Sequence, residues 1–176
     1  MKSTKSTTNL IEEINWIANQ INSILEEKQK DRYFEGIVLA YTFIENLLIW
    51  LVFTQIIWNK SQKEKIMSHE EIKVLKDYCN NLSVYNLLRL ALSVDLFDIK
   101  LFNKLDEIRG ERNSILHKYW LYKYRCNNLI LRKKLEKLAK AANELVGIFN
   151  KLVEETGIDE SYGLFEVGRG RIFVII

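Results

Sequence analysis

Proline is absent from all 176 residues, and four of the seven glycines fall among the last 20, at Gly157, Gly163, Gly168 and Gly170. Residues 1–156 therefore hold three glycines and no proline. A stretch of that length with so few chain breakers reads as helix almost throughout. The length suits one domain that buries roughly two-thirds of its unfolded surface in a single core. Apolar residues make up 48% of the chain, which excludes a disordered or collagen-like polymer.

Helical periodicity then divides the chain. Asn9 with Glu12 makes a capping box, and Leu10, Ile11, Ile14, Ile17, Ala18, Ile21, Ile24 and Leu25 form one apolar stripe behind it. Residues 1–8 read as a disordered tail. The polar run from Glu26 to Arg32 ends this helix, and a second runs from about Tyr33 to Trp58. Within Ile37–Trp58, 17 of 22 residues are apolar, on every side of the wheel. Such a helix is either a bilayer span or enclosed by protein. Glu45 and Asn46 at its midpoint favour enclosure, because a lone carboxylate in lipid costs at least about 2.5 kcal/mol. The expectation is no membrane.

Ser61 with Glu64 and Ser68 with Glu71 read as further capping boxes, giving short helices through Tyr78 and again from about Val84 to Val94. Leu101, Leu105, Ile108, Ile115, Leu116 and Tyr119 mark another helix. The last, about Asn128–Glu155, carries Leu131, Leu135, Leu138, Ala142, Leu145, Phe149 and Leu152 at steps of three and four. Leu164–Val167 and Arg171–Ile175 flank Gly168-Arg169-Gly170 and read as a β-hairpin within a 160–176 extension. The expected fold is a single all-α domain, a bundle of about five helices with a short C-terminal hairpin.

Two charges stand where apolar residues belong. The stripe Leu101, Leu105, Ile108, Ile115 needs an apolar residue at position 112 and has Arg112; the second helix has Glu45 in its apolar middle. A buried unpaired charge costs several kcal/mol, roughly, so each needs a partner. The economical solution packs the two helices together with Glu45 meeting Arg112. By itself that is a structural salt bridge. The neighbouring residues widen the reading: Arg112-Asn113-x3-His117-x-Tyr119 puts Asn113 and His117 on one helix face, with Arg112 long enough to reach over. A guanidinium suits a phosphate, and an imidazole exchanges protons near neutral pH. Phosphodiester cleavage needs those two functions.

Arg-Asn-x3-His resembles the Arg-x4–6-His signature of the HEPN superfamily, helical proteins of which many are metal-independent ribonucleases. With Tyr119, the pattern Arg-x4-His-x-Tyr is similar to the HEPN toxins paired with a minimal nucleotidyltransferase antitoxin. The resemblance implies a HEPN-like bundle, catalytic Arg112, Asn113 and His117 supported by Glu45, and a toxin or antiphage effector. It also implies Tyr119 as a target of adenylylation by the antitoxin.

Cleavage through the 2′-OH needs a base and an acid, and the other histidine, His69, reads as an exposed capping-region residue. A two-fold homodimer solves this by bringing two copies of His117 and Arg112 into one cleft. RNA is the expected partner. Residues 101–140 hold 11 Lys+Arg against four Asp+Glu, with Lys118, Lys123, Arg125, Arg132, Lys133, Lys137 and Lys140 after the motif, among Tyr119, Trp120, Tyr122 and Tyr124. Of these, Lys118, Lys123, Arg125 and Lys133 are the candidate RNA contacts. Basic groups track a phosphate backbone and aromatic faces stack bases, although a lysine-rich helix face is as often simply solvated.

Cys79 and Cys126 lack chelating spacing and suit a reducing interior, so the expectations are a cytoplasmic chain with no metal and no cofactor. Met1–Asn9 has no apolar run behind it and does not read as a secretory signal. The competing reading is a non-catalytic HEPN-like module binding RNA, nucleotide or a protein partner, with Glu45–Arg112 a plain ion pair.

Overall fold

The computed structural model describes residues 10–28, 30–63, 67–118 and 127–156, with backbone alone at 10–13, 116 and 117. Six α-helices and one 3-10 turn account for nearly all of them: α1 (Leu10–Glu26), the turn Lys30–Arg32, α2 (Tyr33–Ser61), α3 (His69–Asn81), α4 (Val84–Ser93), α5 (Ile99–His117) and α6 (Asn128–Thr156). The all-α expectation holds, with six helices among the described residues. The Asn9 cap, the tail and the C-terminal hairpin lie outside the described residues.

The frame is the pair α2 and α6. Gly36 on α2 faces Leu135 on α6, and the Trp50 ring packs at a 45° tilt against Phe149 with centroids 4.6 Å apart, so the two helices run parallel. The approach at Gly36 is close enough that a Cβ there would lie 2.7 Å from Leu135 Cδ2. The whole apolar ladder of α6, from Leu131 to Leu152, is buried, each fully covered leucine contributing about 1.5–3 kcal/mol. α1 lays Ile14, Ala18, Ile21, Ile24 and Leu25 on the same core.

Two sequence expectations are corrected. Ser61 starts no helix; it is the last residue of α2, where its Oγ donates to the Trp58 carbonyl at 2.8 Å. α2 is also not enclosed all round: Glu35, Val38, Thr42 and Asn46 form an exposed stripe along its first half. α2 is long and apolar enough to cross a membrane by length and composition, and 67% of its most apolar window is buried inside the protein. The apolar all-round pattern is explained by α1, α3, α4 and α6 covering its remaining sides.

The helices that carry the site are delimited by caps. Ser68 and Glu71 form the expected reciprocal box at α3, at 3.3 and 2.8 Å, and Ser83 caps α4. α4 stops without a glycine. Asp95 takes φ 58°, while Leu96 N–H donates to Ala91 O and Asp95 N–H to Leu92 O, a Schellman arrangement that turns the chain toward α5. Asp98 Oδ1 accepts from Leu101 N–H at 2.9 Å and caps the first turn of α5.

Candidate functional site

α5 presents Leu105, Ile108 and Ile115 to the core, with Arg112 on the same side between the last two. Its guanidinium Nη2 lies 3.0 Å from Glu45 Oε2 on α2, so the two misplaced charges do meet. Both side chains keep 32% of their surface exposed. The pair is therefore half-buried rather than sealed in the core, which lowers the desolvation cost of holding it and leaves it accessible.

The pair borders a crevice where α2, α4 and α5 converge. Tyr41, Ile44 and Leu48 supply one wall, Val84 and Leu88 another, and Leu105, Ile108, Arg109 and Arg112 the third. Its interior volume of about 20 Å³ admits a water molecule and nothing larger.

Arg109 was missed by the sequence reading. It lies one turn before Arg112 and lines the same crevice. Its Nε donates to Asp106 Oδ1 at 2.7 Å, and its Cζ sits 5.1 Å from the centroid of the exposed Tyr85 ring. Arg89, four residues after Tyr85 on α4, approaches that ring at 5.8 Å. The signals were present as Arg109-x2-Arg112 and Tyr85-x3-Arg89, spacings that put side chains on one helix face.

Asn113 is exposed on α5. The α5 backbone continues through position 117, so positions 113 and 117 follow one another a single turn apart. The His117 side chain lies outside the described residues, as do Tyr119, Lys123 and Arg125. His69 is exposed as the first residue of α3, in accord with its reading as a capping-region residue.

The basic face of 101–140 is smaller than its charge count suggests. Lys137 donates to Glu107 at 2.9 Å and to Glu111 at 3.0 Å, Lys134 lies 3.5 Å from Glu111, and Arg132 Nε donates to Glu136 at 2.8 Å. Lys137 and Arg132 are thus engaged by carboxylates, and the first clasps α5 to α6. Burial alone would raise the Glu111 carboxyl, but the Lys137 hydrogen bond and the Lys134 charge outweigh it and hold it below the usual carboxylate range. Hydrogen bonds to Glu107 and then Glu111 hold the Lys137 ammonium above its ordinary value. Lys118, Lys133 and Lys140 are exposed and form no ion pair among the described residues.

Cys79 is fully buried, and desolvation pushes its thiol up, away from thiolate chemistry. Among the described residues no cluster of His, Cys, Asp and Glu has the makings of a metal site. No family model, no curated protein and no solved structure matches this chain.

Proposed function

We propose that the protein is a metal-independent endoribonuclease of the HEPN type, acting as a cytoplasmic homodimer whose two subunits form one composite site. The observation that carries this reading is the Glu45–Arg112 contact at the mouth of the crevice. It holds the motif's guanidinium on the solvent-accessible end of α5, next to exposed Asn113 and one and a half turns before His117.

In the proposed reaction one His117 takes the proton from the ribose 2′-OH, and the 2′-oxygen attacks the adjacent phosphorus. The P–O5′ bond breaks, and His117 of the partner subunit gives its proton to the leaving 5′-oxygen. The products are a 2′,3′-cyclic phosphate and a free 5′-hydroxyl. Both copies of Arg112 hold the phosphate oxygens as negative charge builds, and Asn113 orients the imidazole or the phosphate. Glu45 positions Arg112. The toxin or antiphage role, and adenylylation of Tyr119 by a nucleotidyltransferase antitoxin, rest on the motif resemblance alone.

The test is incubation of the purified protein and its His117→Ala variant with diverse RNAs in EDTA. Cleavage by the wild type alone, absent from a strand with 2′-deoxyribose at the cut position, supports the reading. Cleavage of that deoxy strand overturns the 2′-OH scheme. A second reading has its own support: Arg112 already carries a carboxylate, as a plain structural pair would. That reading makes the protein a binding scaffold, and it prevails if the wild type cuts none of the RNAs.

A further inference from the structure

A second, larger cavity lies away from the crevice, where the α1–α2 turn meets the start of α6. Its volume is about 310 Å³, and its lining holds Lys28, Lys30 and Arg132 with the amides Asn127 and Asn128, but no carboxylate. Three cations from two distant segments converge there, and among the described residues only Arg132 has a carboxylate partner, Glu136. Asp31, beside Lys30, is exposed and does not line the cavity, and two other nearby carboxylates are occupied elsewhere. Glu35 is held by Arg32 at 2.7 and 2.8 Å, and Glu27 accepts from Ser23 at 2.9 Å. Glu136 engages only the Nε of Arg132, and a guanidinium has four further N–H donors. Neither Lys28 nor Lys30 forms an ion pair with a described residue.

The position of this cavity relates it to the proposed reaction. Ion pairs between α5 and α6 join Lys104 to Glu144, Glu107 to Lys137, and Glu111 to Lys134 and Lys137. Residue numbers fall on α6 as they rise on α5, so the helices run antiparallel. From Glu111 to His117, and from Lys134 back to Asn128, each helix advances about 9 Å in the same direction. The His117 end of α5 and the cationic cavity at the start of α6 therefore share one end of the bundle.

We infer that this cavity binds backbone phosphates of the RNA strand, holding it as it passes the His117 end of α5. The ligand assignment rests on the ribonuclease reading; the convergence of cations does not. Lys28 and Lys30 act as point charges, and the planar fork of Arg132 pairs with two phosphate oxygens. The first-turn amides of α6 add positive potential on the same side.

The experiment measures binding of a short, mixed-sequence 2′-O-methyl oligonucleotide, which cannot be cut through a 2′-OH, by fluorescence anisotropy over a salt series. Lys28→Ala/Lys30→Ala/Arg132→Gln is compared with wild type and with Lys60→Ala/Lys73→Ala/Lys100→Ala, which removes as many exposed charges elsewhere. The cavity variant is expected to weaken binding tenfold or more at low salt and to flatten the log–log salt slope by about 2, at roughly 0.7 per phosphate contact. The Lys28→Ala/Lys30→Ala double variant, confined to exposed residues of the turn, is expected to flatten it by about 1.4 on the same basis. Wild-type affinity and slope in the cavity variants overturn the inference. So does an equal loss in the control variant, an absence of oligonucleotide binding by the wild type, or binding of inorganic phosphate alone. Cavity-dependent binding without any RNA cleavage sinks the ribonuclease reading and leaves the cavity as a nucleic-acid site. Cleavage with cavity-independent binding does the reverse.

Discussion

Separating Glu45 from Arg112 measures what the contact between α2 and α5 is worth. Their nitrogen and oxygen lie 3.0 Å apart, which places the charge centres about 4 Å apart. At that distance the gross attraction is about 4 kcal/mol for an effective dielectric of 20 and about 1 kcal/mol in water. A third of each side chain is exposed, which pulls the value toward the lower figure, and ordering two long side chains subtracts more. The expected coupling is about 1 kcal/mol. Glu45→Gln and Arg112→Met should each cost about 1–2 kcal/mol, because each leaves its former partner half-buried without a counter-charge. The double variant should recover about 1 kcal/mol relative to the sum of the singles. Urea unfolding of all four proteins at low and high salt reads this out, and each kcal/mol corresponds to about 2–4 °C in Tm for a chain of this size. A coupling below about 0.3 kcal/mol would show that the carboxylate does not hold the guanidinium, and the positioning role of Glu45 would fall with it. In the ribonuclease assay, Arg112→Lys should not restore the activity lost in Arg112→Met, because an ammonium lacks the planar fork.

The clasp between α5 and α6 makes a pH prediction. The Glu111 carboxyl is held low in the folded state, so its contribution is complete above the unfolded carboxylate range and fades as pH falls through the lower folded value. Lys137 is held high, so its contribution is complete below the ordinary lysine range and is lost only in strong alkali. Lys137→Met should therefore cost about 0.5–1 kcal/mol at neutral pH, and the gap to wild type should narrow as pH falls below the usual carboxylate range; a gap independent of pH in urea melts would refute the clasp. Gly36→Val should destabilise the protein by about 1–3 kcal/mol, since the added Cβ alone would lie 2.7 Å from buried Leu135 and two methyls extend beyond it. Unchanged thermal stability of that variant would mean that the α2–α6 approach is looser than described.

Local rules wrote much of this molecule into its sequence. The scarcity of breakers made the described chain helical, steps of three and four picked out seven positions of α6 that are all buried, though not Ala139, Ala141 or Val146 beside them, and Ser68 with Glu71 fixed the start of α3. Even one long-range contact was legible, because Arg112 and Glu45 each broke an apolar pattern and charges in such places need partners. Other features were settled only by three-dimensional packing. The second helix is apolar at so many positions that the polar residues Glu35, Thr42 and Asn46 did not stand out as a stripe; coverage by its neighbours left them exposed together with Val38. Ser61-x2-Glu64 matches a capping box as well as Ser68-x2-Glu71 does, yet α2 continues through Ser61, because a cap operates only where a helix begins. The charge count after residue 101 overstated the free basic surface, since Lys137 and Arg132 meet carboxylates whose positions a linear tally does not weigh. The cavity of Lys28, Lys30 and Arg132 joins residues about a hundred positions apart. Periodicity and capping act over a few residues and survive in the sequence, whereas which segments meet is decided by the packing of whole helices.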